Sequence, residues 1–178
     1  MSFSKLFTIP FSQLCEGKHF YEYEIDDSFF EQFEYSEIEK SDIHISLTLE
    51  KESTMLVLVF FLEGTINVMC DRCSDYFDMK VKGQNRLIVK FGDETYEETD
   101  EVIVIPSTAH ELDITHYIYE FINLLLPQSR THPQGQCNKK IILKLEELSG
   151  ANNSGNSIDP RWEALKNVEL EIKKNITM

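Results

Sequence analysis

Between residues 43 and 49 the chain alternates without a break. Ile43, Ile45, Leu47 and Leu49 are separated by His44, Ser46 and Thr48, the period of two that a strand with one face in a core requires. His19 to Ile25 alternates aromatic or apolar residues with polar ones and predicts a second half-buried strand. Lys5 to Pro10 predicts an edge strand, because Pro10 has no N–H to give to a ladder. Met55 to Leu62 is apolar throughout, which predicts a central strand covered on both faces, and Glu63-Gly64 would separate it from a further strand over Thr65 to Met69. Beyond it Phe77, Met79 and Val81, then Leu87, Val89 and Phe91, alternate with other residues and predict two more strands. The connections are too short for crossovers, so this central portion should be an antiparallel meander. Val102 to Ile105 is one more strand, ended by Pro106.

Helical spacing is rarer. Asp26-Asp27-Ser28 can cap a short helix carrying Phe29, Phe30 and Phe33. Asp113 is placed to cap a longer one, in which Ile114, Tyr117, Ile118, Phe121, Ile122 and Leu125 form an apolar stripe until Pro127 stops it. Asp159-Pro160 supplies a cap and first position for a last short helix through Leu165. The expected fold is α+β: an antiparallel β meander or partly closed sheet of about five to seven strands, with one long helix packed on it and a short C-terminal helix. The expected organisation is one domain over 1–148, a flexible Gly/Asn/Ser linker over 149–157 and a helical tail over 158–178.

Composition narrows the function. With 178 residues and 42% hydrophobic content, one domain with a sizeable core is the default. No secretory signal opens the chain, and its longest apolar run, Met55 to Leu62, is far shorter than a membrane span, so a soluble cytoplasmic protein is expected. In that compartment Cys15, Cys70, Cys73 and Cys137 are expected as thiols or metal ligands rather than disulfides. The net charge of −14 opposes binding to a phosphate backbone. The distribution is uneven, however. Arg72, Lys80, Lys82, Arg86 and Lys90 outnumber the acids of 72–90, and Arg130, Lys139, Lys140 and Lys144 have no acid among them, so a basic face on an acidic body is expected.

Cys70-Asp71-Arg72-Cys73 is the main candidate for chemistry. Cys-x-x-Cys marks a metal site, a redox pair or two ordinary turn thiols. His132 and Cys137 would complete a Cys3His set suited to tetrahedral, structural zinc; the plain alternative is two turn thiols and a surface histidine. Redox pairs usually open a helix, whereas strands flank this one. His110 and His116 are six apart, too far round a helix for a zinc-protease pair, and no nucleophile elbow, phosphate-cradling loop or dinucleotide fingerprint is present. Neither an enzyme nor a small-molecule substrate is expected.

Together these elements resemble a known family. Val68-Met69-Cys70-Asp71-Arg72-Cys73, the helix ending in Leu124-Leu125-Leu126-Pro127, the His132 to Cys137 pair and Asp159-Pro160-Arg161-Trp162-Glu163-Ala164-Leu165 resemble, in order and spacing, the YceD family. Its members are described as large ribosomal RNA subunit accumulation proteins and were long called a domain of unknown function. The resemblance covers roughly Phe60 to Val168; the first 42 residues and the acidity lie outside the pattern. It implies a non-enzymatic ribosome-biogenesis factor needed for processing or accumulation of large-subunit (23S) ribosomal RNA. On that reading Arg72, Lys80, Lys82, Arg130, Lys139 and Lys140 would contact the RNA, and Arg161, Trp162 and Leu165 would dock a partner. The alternative is a protein-interaction module with a structural zinc site, whose acidic surface docks a basic ribosomal protein.

Overall fold

The computed structural model describes residues 6–92 and 101–149. In chain order the elements are β1 (Thr8–Ile9), β2 (Gly17–Ile25), α1 (Asp27–Phe30), β3 (Lys40–Lys51), β4 (Met55–Met69), β5 (Tyr76–Phe91), β6 (Val102–Ile105), β7 (Leu112–Asp113), α2 (Thr115–Leu125) and α3 (Lys139–Leu148). The fold is α+β. Five strands form one sheet in the order β2-β3-β4-β5-β6, and β1 pairs with β7 as a separate two-stranded ribbon. The chain divides into two compact units, Met1–Cys137 and Asn138–Met178.

Alternation decides which side chains the sheet buries. On β3, Ile43, Ile45, Leu47 and Leu49 are all within 1% of complete burial, and on β4 Leu56, Leu58, Phe60 and Leu62 are fully buried beside them. Each such side chain contributes roughly 1.5–3 kcal/mol relative to exposure. Over this inner face pack α1, with Phe29 and Phe30, and α2, whose Ile118, Phe121 and Ile122 are buried. Phe60 meets Phe121 edge-on at 5.1 Å. The short helix starts as expected, with the Asp26 carboxylate accepting the Ser28 N–H. Before α2 the Asp113 carboxylate accepts the Thr115 N–H at 2.9 Å, although Asp113 itself belongs to β7.

Several expectations change. Glu63-Gly64 is no turn: β4 runs unbroken through it for 15 residues. Gly64 instead lets the neighbouring strand come close, since a Cβ there would stand 2.6 Å from the Ile43 Cα. The two segments expected after the cysteines are likewise one 16-residue strand, β5, and at Gly83 a side chain would collide with Leu125 of α2. Strand β6 lies parallel to β5, whereas a purely antiparallel meander was expected. The apolar run Met55 to Leu62 is covered on one face only; Met55, Val57 and Val59 are half-buried on the other, and Phe61 is exposed. Alternation is hidden there because both faces carry apolar residues. The helix α2 has 11 residues, and no pairing between β2 and β6 is found among the described residues.

In the second unit, α3 was not expected. The Asn138 side chain caps it by accepting the Lys140 N–H, and no residue of the helix is buried. Its lysines and aliphatic residues interleave so closely that the polar loop before it masked its helical spacing. The acidic segment 93–100, the linker and the Asp159-Pro160 helix with Arg161, Trp162 and Leu165 lie outside the described residues.

Candidate metal centre

The hairpin between β4 and β5 carries Cys70 and Cys73. Its backbone closes through two hydrogen bonds, from the Cys70 N–H to the Asp75 carbonyl at 3.0 Å and from the Ser74 N–H to the Cys70 carbonyl at 2.8 Å. Ser74 completes the turn in the left-handed region, at φ 59°. A non-glycine residue held there is a local strain that neighbouring contacts must offset. Both cysteines are about 1% exposed, so the thiols point into the protein rather than to solvent.

The segment that follows α2 comes back across this hairpin. The Asp71 N–H donates to the Arg130 carbonyl at 2.8 Å, and the Arg130 N–H donates to the Asp71 carboxylate at 2.6 Å. These two bonds are a short ladder between residues 59 positions apart. The Arg130 guanidinium reaches on to Glu37 at 2.7 Å and lies 3.9 Å from the Asp71 carboxylate. Its pKa is raised first by the Glu37 hydrogen bond, and the side chain is 25% exposed. A second turn, with Gly135 at φ 84° and the Gln136 N–H on the Pro133 carbonyl, brings Cys137 in beside His132.

The result is a cluster of four. One ligand atom from each of Cys70, Cys73, His132 and Cys137 lies within 4.8 Å of every other. In a tetrahedral zinc site with metal–sulfur bonds of about 2.3 Å, neighbouring sulfurs stand about 3.8 Å apart, so the spacing is that of a nearly formed coordination shell. The Cys73 Sγ is 3.4 Å from the His132 Nδ1. The His132 ring rests on Phe77, the second residue of β5, centroid to centroid 4.5 Å, which fixes its orientation.

Electrostatics prepare one thiol and not another. Burial pushes the Cys70 thiol up, but hydrogen bonds from the His132 and Arg72 backbone, the His132 ring and the Cys73 backbone outweigh it, and its pKa falls to about 6. Burial, then Cys70 and Cys73, push Cys137 the other way. One thiolate is thus favoured while a full set of three is opposed, which is the electrostatic situation a divalent cation relieves. An ion held by all four of these donors would keep no open position for a substrate. Cys15 is exposed and takes no part.

The expected basic residues are distributed differently. Arg72 at the hairpin and Lys80 and Lys82 on β5 are exposed, but Lys82 pairs with Glu63 at 2.8 Å and lies over the Phe61 ring. Lys139 and Lys140 open α3 in the second unit and are exposed. Glu37, Asp71 and Phe77 had no signal in the sequence, because each acts through a partner remote along the chain.

Comparison with known proteins places this geometry. The family model described as "Large ribosomal RNA subunit accumulation protein YceD" matches residues 58–169, more than half of the 178-residue chain. No curated protein and no solved structure matches. The matched region begins within β4 and includes both halves of the four-donor cluster, so the chain belongs to the YceD family of large ribosomal RNA subunit accumulation proteins.

Proposed function

We propose that this chain is a non-enzymatic cytoplasmic factor for processing or accumulation of large-subunit ribosomal RNA, braced by a structural zinc ion. The observation that carries the reading is the convergence of Cys70, Cys73, His132 and Cys137 within the region that the family match covers. Zinc held there by all four side chains would contribute folding energy and tie the β4–β5 hairpin to the segment after α2. Arg72, Lys80, Lys82, Arg130, Lys139 and Lys140 are the proposed RNA contacts. Since Arg130 and Lys82 already face carboxylates, Arg72, Lys80, Lys139 and Lys140 carry most of that role.

Filter binding of large-subunit RNA over a salt series tests it. Affinity is expected to fall steeply with salt, because each phosphate contact releases a counterion, and Lys80→Ala should make the log–log slope shallower by roughly one unit. Absence of salt-dependent binding at micromolar protein would remove direct RNA contact from the proposal.

The internal neutralisation of Arg130 by Glu37 favours a second reading, in which the acidic surface docks a basic ribosomal protein. Co-purification with that protein without RNA, lost on charge reversal across Glu31 to Glu39, would support it.

A further inference from the structure

The outer face of the five-stranded sheet carries an apolar patch. Helices α1 and α2 pack on the inner face, so β4 turns Val57, Val59 and Phe61 outward, away from them. Strand register carries the patch sideways: Val59 pairs with Thr48, which pairs with Phe20 of β2, and Val57 pairs with Ile88, which pairs with Val102 of β6. Phe20 is 74% exposed and Phe61 38%. Contiguous outward apolar residues rimmed by charge mark an interaction surface.

The rim has a polarity. On one side of β4, β5 presents Arg86 and Lys90 in the rows of Val59 and Met55. On the other, β3 presents Glu50 in the row of Val57, and β2 presents Glu22 in the row of Phe61. Glu50 faces only Lys18, at 3.9 Å and largely in solvent, while Arg86, Lys90 and Glu22 form no ion pair among the described residues.

We propose that two copies of the chain pack through this face, related by a two-fold axis parallel to β4. A closed dimer needs a surface complementary to itself. Because β4 is the middle strand, that axis sets β5 of one subunit over β3 of the other and keeps the rows level. Valine then meets valine at the centre, and Glu50 of the partner subunit falls between Arg86 and Lys90, one row from each. An axis across the strands would set β5 on β5, and like charges would oppose each other. The arrangement is an aligned sheet-on-sheet packing of the kind that builds sandwiches. The face carries both signs, Glu22, Glu24, Asp42 and Glu50 on β2 and β3 against Lys80, Lys82, Arg86 and Lys90 on β5, which suits a second copy of itself better than a polyanion. The proposal is independent of the metal, but it draws on the face that Lys80 and Lys82 share, so a dimer would leave RNA contact chiefly to Arg72, Lys139 and Lys140.

Sedimentation equilibrium of the full chain at micromolar concentration tests it. The expected mass is twice the 20.8 kDa of one chain. Arg86→Glu and Glu50→Arg should each weaken association at least about tenfold, since each places like charges in contact twice per dimer. Mixed in equal amounts, the two variants should recover the double mass as a heterodimer, because positions 86 and 50 then carry opposite charges in both of their contacts. Arg86 is exposed and the Glu50 side chain 45% exposed, and circular dichroism identifies any variant that does not fold. A wild-type chain that stays at one mass overturns the proposal, even if it captures RNA or a ribosomal protein. So does a double mass that both variants retain, or a mixture of folded variants that stays at one mass.

Discussion

The inner face of the sheet and the cysteine hairpin are both buried, yet they are held by different means. Under α1 and α2 the chain buries Ile, Leu and Phe that have no polar requirement, and many weak contacts share the load. At the hairpin four side chains with specific donor atoms, one ladder of two hydrogen bonds and an arginine between two carboxylates do the holding. The first kind of region degrades gradually under substitution, and the second depends on each member.

Core truncation should give the largest effect. Phe60→Ala removes the ring that meets Phe121 and should cost about 3–5 kcal/mol in urea unfolding. If the two regions are distinct, it should leave metal stoichiometry in the remaining folded protein unchanged. Loss of zinc from Phe60→Ala while the sheet persists would break the distinction.

Metal removal tests the other side. Purified protein is expected to hold one zinc per chain, and Cys137→Ala or a strong chelator should abolish it, as elemental analysis would read. With zinc in free excess of about 100 times its dissociation constant, its loss should cost about 2.7 kcal/mol. Far-ultraviolet circular dichroism of the sheet should survive, and hydrogen exchange should rise first at Asp71 and Arg130, whose amides join the two segments. Metal content of zero in native protein would reduce the cluster to thiols.

Smaller effects sharpen the picture. Arg130→Ala removes the pairs to Glu37 and Asp71 and should cost about 1 kcal/mol, since the side chain is only 25% exposed but its partners are more open. Zinc affinity should fall with it, as the hairpin loses its lateral anchor. Asp113→Ala removes the carboxylate that accepts the Thr115 N–H and should cost about 0.5–1 kcal/mol with no change in zinc content.

Local pattern was sufficient where one residue type did one task. Ile43 to Leu49 showed its buried face directly, and Asp26 and the proline after α2 marked helix ends. It was insufficient where a task was shared. Glu63-Gly64 looks like a break in the sequence, but Gly64 accommodates the close approach of Ile43, as Gly83 does that of Leu125, and the strands continue. The run from Met55 looked doubly covered because hydrophobicity records only affinity for burial, not whether anything arrives to cover the second face.

The sequence by itself determined the alternating strands, the helix that covers them and the four donor residues, because periodicity and donor chemistry are properties of single positions. Tertiary structure alone decided that His132 and Cys137 reach Cys70 and Cys73, that Arg130 turns inward to Glu37 and Asp71, and that β6 runs parallel to β5. These are meetings of residues far apart along the chain. Loop closure over such distances costs entropy without leaving any periodic trace, so only the folded backbone can show which partners meet.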